Sequence, residues 1–156
     1  HPLGAVVCTD EIASAFETGM EFFSSFGGNP VSCEIGKAVL QVLEEEELQS
    51  RSLSTGHFLL DSLKQLGQAW PLIGNVRGAG LFLGIELVTD PSTLDPATDA
   101  ARRIVHFMRE KGILLSTDGP FNQVIKIKPP LCFSLENAYT LVNAFEEALS
   151  HIRQAT

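Results

Sequence analysis

Three stretches of this chain hold residues able to bind charge. The first is Phe22-Phe23-Ser24-Ser25-Phe26-Gly27-Gly28-Asn29-Pro30. Two hydroxyls and two glycines stand directly ahead of a helix start, with Asn29 as the cap and Pro30 at the first helical position. Backbone amides and the helix dipole favour an anion there, and glycine lets a phosphate approach the main chain. The same residues also make a plain loop with a capped helix, and composition does not choose between the two. The second stretch runs from Gly74 to Leu87, with Arg77, four glycines and Glu86. Its glycines point to a turn or a close backbone approach within a sheet. Arg77 either meets a carboxylate or sits in solvent, and nothing here demands catalysis. The third is Val124-Ile125-Lys126-Ile127-Lys128-Pro129-Pro130-Leu131-Cys132-Phe133. Lys126 and Lys128 share one face of a strand that two prolines stop. An ammonium held that way can take a carboxylate or a phosphate, or it can decorate an exposed face.

The remaining reactive residues form no constellation. Cys8, Cys33 and Cys132 are odd in number and lack the paired C-x-x-C spacing of a zinc site. No base flanks Cys132, which reads as a small core residue. His1, His57, His106 and His151 are scattered, so no metal or catalytic cluster is expected. Trp70 and Tyr139 read as packing residues.

The elements that position these stretches follow from periodicity. Residues 3–8 form a short apolar run, read as a buried strand. Thr9-Asp10-Glu11 caps and starts a short helix to about Phe16. Gly19 to Pro30 is an irregular loop. The helix opening at Pro30 carries Val31, Ile35, Val39 and Val42 on one face, and the acidic run from Glu44 to Glu47 is a solvated helix end. A second half begins near Leu48. Leu59, Leu63 and Leu66 mark an amphipathic helix stopped near Gly67. Residues 76–88, with Leu81, Leu83, Ile85 and Leu87 in strict alternation, read as one strand with a buried face. Asp95-Pro96 starts a helix that ends at Gly112. Residues 113–116 and 124–128 are two short strands, and Ser134 caps a last helix carrying Ala138, Leu141, Val142, Phe145, Leu149 and Ile152. This order favours an α/β fold of the α+β kind, a two-layer sandwich with helices on one face of a small sheet.

Composition bounds the function classes. The chain has 156 residues, 44% apolar and 19% charged, as in ordinary globular proteins. Its formal charge of −8 argues against nucleic acid and anionic membranes as partners. No apolar run nears the roughly 20 residues that span a bilayer. The start at His1 lacks a methionine and a basic signal region, which points to a cut or processed product. Unpaired cysteines suit a reducing cytosol, so a cytoplasmic location is expected.

The pieces FSSFGGNPVSCEIG, VRGAGLFLGIEL and GILLSTDGPFNQVIKIKPPLCFS, in this order, resemble the C-terminal part of class III aminotransferases. The match spans nearly the whole chain. Within the family, the LLS-x-DGP and KIKPP-x-CF wording is most similar to the branch of ethanolamine-phosphate and phosphohydroxylysine phospho-lyases. The resemblance implies pyridoxal phosphate (PLP) as cofactor and a fold type I small domain at 48–156. Residues 1–47 are then the tail of the large PLP-binding domain and a bridging helix. It implies a homodimer and a small-molecule amine substrate. Ser25 takes the place of a family threonine that binds the PLP phosphate of the neighbouring subunit, and the Ser24 amide lies beside it. Lys126 stands where transaminases that use amino acids hold an arginine on the substrate carboxylate. A lysine there is a point charge rather than a fork, which fits a substrate without a carboxylate. The lysine that carries the cofactor lies just upstream of the segment matching 1–7. The chain itself is therefore expected to contain no catalytic residue and to be inactive alone. Two other readings remain: an ordinary class III transaminase, and a non-catalytic binding or dimerisation module with the small-domain fold.

Overall fold

The computed structural model describes residues 1–154, and the chain divides into two compact units, His1–Glu47 and Leu48–Thr156.

The first unit holds two helices and no strand. Helix α1 spans Asp10–Phe16 and α2 spans Pro30–Glu45. Asn29 caps α2: its Oδ1 accepts the backbone N–H groups of Val31 and Ser32 at 3.0 and 3.2 Å. Pro30 follows at the first helical position, where its missing N–H costs nothing. The run 3–8 is not a strand. Val6 and Val7 are exposed, and no second strand exists in this unit to complete a ladder. The apolar face of α2 is likewise uncovered, and neither helix buries a residue.

The second unit carries the core. Its order is α3 (Leu48–Ala69), β1 (Ile73–Ala79), β2 (Phe82–Leu87), α4 (Thr98–Glu110), β3 (Ser116–Asp118), β4 (Val124–Ile127) and α5 (Leu135–Gln154). The sheet is antiparallel throughout, in the order β1-β2-β4-β3. Helices α3 and α4 pack on the strands, and α5 packs on both helices. Leu59, Leu63, Ile104, Met108 and Phe145 from the helices meet Leu83, Ile85, Ile125 and Ile127 from the strands in one buried cluster. Because side chains alternate along a strand, the other sheet face carries the charged residues Arg77, Glu86, Lys126 and Asp118 together with Gly84, Phe82 and Val124.

Three sequence expectations change here, the first being the strand at 113–116, which begins only at Ser116 and runs on to Asp118. The segment 76–88 is a hairpin rather than one strand. Leu81, Leu83, Ile85 and Leu87 are buried as the alternation requires, but the chain reverses at Gly80-Leu81. Gly80 sits at φ +53°, the left-handed region a tight hairpin turn needs. A close approach also binds that turn: a Cβ on Gly56 of α3 would overlap the Gly80 carbonyl. The helix α3 runs through Gly67 to Ala69 instead of stopping there.

Candidate functional site

In the first unit, the loop before α2 is shaped by its own hydrogen bonds. The Gly27 N–H donates to Ser24 Oγ at 3.0 Å. Gly28 adopts φ +70°, which turns the chain into Asn29. Asn29 then occupies the first free amides of α2, so the helix start itself offers no unsatisfied N–H at Val31 or Ser32. Ser25 differs from Ser24. It makes no hydrogen bond among the described residues, and it is exposed. The free donors thus lie one turn earlier than the helix-start argument placed them. A free hydroxyl beside a free amide fits a phosphate oxygen, so the loop is chemically suited to the phosphate end of PLP.

In the second unit, the open face of the sheet gathers the charged residues. The register sets Arg77 of β1 opposite Gly84 of β2, Gly84 opposite Lys126 of β4, and Lys126 opposite Ser116 of β3. These four residues form one row across all four strands and share one face. The neighbouring row holds Glu86, Val124 and Asp118. Ion pairs join the rows diagonally: Arg77 Nη1 to Glu86 Oε2 at 2.6 Å, and Lys126 Nζ to Asp118 Oδ2 at 2.7 Å. Arg77 thus meets a carboxylate, that of Glu86 nine residues on. Hydrogen bonding from Lys126, helped by the Gly119 amide, holds the Asp118 carboxyl below the usual carboxylate range.

Lys126 is the least exposed member of this group, at 25%. Strands on both sides fix its backbone, whereas Asp118 ends a three-residue edge strand. Two cavities share Lys126. One, of about 590 Å³, lies over Gly78, Gly84 and Arg77. The other, of about 570 Å³, runs along 112–116 and 126–130 to the start of α5, and also takes in Lys128. Sequence reasoning missed Asp118 as the partner of Lys126. The signal was only the turn Asp118-Gly119-Pro120, which says that the strand ends but not what its last side chain faces. Cys132 is exposed, not a core residue, because it follows the two prolines outside the strand. Tyr139 packs against Phe58 with ring centroids 4.4 Å apart and ring planes tilted by 55°, and the Arg153 guanidinium lies 4.7 Å over Trp70.

Residues 1–149 match the model of the family described as Aminotransferase class-III. A Drosophila melanogaster protein named "Alanine--glyoxylate aminotransferase 2-like" is 49% identical over 156 residues, covering 99% of this chain and 32% of its own length. A Caenorhabditis elegans protein named "Ethanolamine-phosphate phospho-lyase homolog 1" is 39% identical over 150 residues, covering 96% of this chain and 32% of that protein. The structure of a phospholyase from Arthrobacter in complex with phosphoethanolamine superposes with a TM-score of 0.85 at 35% identity, over 91% of this chain and 34% of that one. The chain spans about a third of the length of the curated relatives it matches. Its fold is that of the corresponding part of fold type I PLP-dependent transaminases and a phospholyase.

Proposed function

Because the chain belongs to the class-III aminotransferase family, we propose that it supplies the cofactor-phosphate loop and the substrate-anion face of a PLP-dependent phospho-lyase acting on a phosphorylated amine. The observation that carries this reading is Lys126. It is a point cation on an inner strand, paired with Asp118 and open to a cavity, and the resemblance puts a carboxylate-gripping arginine at its position in transaminases that use amino acids. A compact ammonium suits a phosphate oxygen as well as a carboxylate, and it makes no planar two-point demand on the ligand.

Each residue has a stated task in this reading. The Ser25 hydroxyl and amide donate to the cofactor's phosphate, with the Ser24 amide beside them. Asn29 keeps the start of α2 ordered behind that loop. Lys126 pairs with the substrate's phosphate and so sets which end of the substrate meets the cofactor. When bound, PLP supplies an electron sink for the carbon bearing the amine. The net reaction eliminates phosphate from the next carbon and, with water, yields an aldehyde and ammonia. In this reading the cofactor lysine belongs to the family segment that precedes the one matching 1–7, and none of the five lysines here has that role. Residues 1–47 belong in this scheme to the large domain and its bridging helix, and 48–156 to the small domain. The exposed Phe22, Phe23 and Phe26 support a homodimer whose surface covers them. Three free, exposed cysteines support a cytoplasmic location. No helix among the described residues is long and apolar enough to cross a membrane. Recovery of the protein in a mitochondrial fraction would overturn the cytoplasmic placement.

The test uses the full-length protein containing this chain. Phosphate release from phosphoethanolamine without a keto acid supports the lyase. The relative that is 49% identical carries an aminotransferase name and favours a second reading, a transaminase. Glutamate formed from 2-oxoglutarate with no phosphate released establishes that reading and sinks the lyase. The polypeptide 1–156 alone is expected to give neither product.

A further inference from the structure

One buried side chain ties down the hairpin loop between β3 and β4. Gln123 is 8% exposed and stands directly before β4. Its main-chain carbonyl accepts the Leu87 N–H at 3.0 Å, which anchors its backbone on β2. Its side-chain amide reaches two ways. Oε1 accepts the Phe121 N–H at 3.2 Å, and Nε2 donates to Glu86 Oε1 at 3.4 Å. Chemistry sets this orientation. The Phe121 N–H can only donate, so the amide oxygen faces it and the NH2 group is left for a carboxylate. Glu86 takes Arg77 on its other oxygen. Gly119 closes over the same amide: it adopts φ +87°, and a Cβ there would stand 2.9 Å from Gln123 Oε1. The Asn122 N–H donates to the Gly119 carbonyl at 3.1 Å, and Thr98 Oγ1 donates to the Phe121 carbonyl.

The loop begins at Asp118, the partner of Lys126. Asp118 has little support from its own strand, an edge strand of three residues. Asp118 and Gly119 also line the cavity of about 590 Å³ to which Lys126 is open. We propose that Gln123 is a positioning residue: by clamping the loop 119–122 to Glu86 it keeps Asp118 on Lys126, and so fixes where the ammonium stands at the cavity wall. This role rests on the reading that Lys126 meets the substrate's anion, and it deepens that reading. A lysine is a flexible stem with a compact charge, and without a fixed counterion it spreads that charge over many rotamers. A buried amide bonded to a carboxylate and to a backbone N–H is costly to break, so the clamp holds.

The test uses the 156-residue chain and needs no substrate. Gln123→Met keeps a side chain of similar length and removes both hydrogen bonds without changing charge. Two readouts follow the folded protein. One is the Asp118 carboxyl carbon resonance through an acid titration, and the other is acylation of Lys126 by acetic anhydride, read by mass spectrometry. In Gln123→Met, Asp118 is expected to titrate nearer the ordinary carboxylate range than in the parent. Lys126 is expected to be acylated about two- to fivefold faster, the span of one exposed ion pair. Lys128, whose charge also acts on Asp118, is the same in both proteins. Gln123→Glu is expected to restore the parent behaviour in acid. Burial beside Glu86 keeps a carboxyl at 123 neutral there, and it accepts the Phe121 N–H and donates to Glu86 as the amide does. Should Gln123→Met not fold, Glu86→Ala cuts the outer arm of the clamp on the open sheet face. A loosened loop raises the Asp118 titration, whereas loss of a nearby negative charge alone lowers it. Asp118 and Lys126 that behave in Gln123→Met as in the parent overturn the positioning role, even if stability falls. So does an Asp118 titration that is lowered or unmoved in Glu86→Ala. Failure of the substrate reading shows separately: in the full-length protein, Lys126→Gln with an unchanged KM ends that reading, while the two readouts on the chain still decide the role of Gln123.

Discussion

At the scale of single residues, the ion pair of Lys126 with Asp118 sets the most confined charge on the open sheet face. Alternation alone put Lys126 on the strand face opposite Ile125 and Ile127, and the structure keeps it there. Its partner was not legible, because Asp118 reaches it across a strand pair whose register no local pattern states. The pair carries a pH signature. Asp118 has a folded pKa below its unfolded one, so its contribution to stability is present above the ordinary carboxylate range and disappears as pH falls through the lowered value. Asp118→Asn should therefore lower the urea midpoint at neutral pH and leave it equal to the parent's in strong acid. A difference that persists unchanged in acid would mean that Asp118 acts by packing or backbone bonding instead. Glycines differ in the same way. Gly56 and Gly67 look alike in sequence, both within α3. Gly56→Ala drives a methyl into the Gly80 carbonyl and should cost about 3 kcal/mol. At Gly67 the added methyl meets Ile73 Cγ2 at 3.3 Å, close enough to be absorbed by a small shift. Gly67→Ala should then be neutral or gain up to about 1 kcal/mol from helix propensity. Urea denaturation of both variants checks the contrast.

At the scale of elements, starts were clearer than ends. Asn29 and Ser134 both cap as their positions before apolar periods imply. Ser134 Oγ accepts the Asn137 N–H at 3.2 Å, and Asn137 Oδ1 accepts the Ser134 N–H at 3.3 Å in return. Ser134→Ala should cost about 1 kcal/mol, read as a lower thermal midpoint with unchanged cooperativity. Thr9 shows that a cap residue type is not a cap: its side chain makes no capping bond on α1, a helix of seven residues. The hairpin β1–β2 was hidden inside one long alternating run. Its turn, Gly80-Leu81, interrupts the period by only two residues, and Leu81 is itself buried. Gly78-Ala79-Gly80 was the signal available, since paired glycines within a strand pattern favour reversal over extension. The helix α4 begins at Thr98 rather than at Pro96, because the Pro96 region is held against Val88 by a bridge.

At the scale of the whole chain, the two units differ in what they bury. The unit Leu48–Thr156 has a closed core around Phe145, Leu59 and Ile85, and it should fold by itself. Phe145→Ala in it should cost about 3–5 kcal/mol, measured by chemical denaturation. The unit His1–Glu47 leaves Val6, Val7, Met20, Phe22, Phe23 and Phe26 exposed. Residues 48–156 expressed alone should therefore sediment as a smaller, less self-associating species than 1–156; equal association of the two would locate the sticky surface elsewhere. What the sequence determined by itself were the properties carried by near neighbours. Helix periods, caps, the buried face of residues 81–87 and the ordered motifs that identify the family all depend on residues a few positions apart. What only the tertiary structure decided were the properties carried by distant pairs. These include the reversal that sets β1 on β2, the crossing of Gly56 over Gly80, and the row that brings Arg77, Gly84 and Lys126 to one face. The physical reason is the same in each case. Strand register and helix crossing are settled by packing and hydrogen bonding between segments, and no local preference encodes which segments meet.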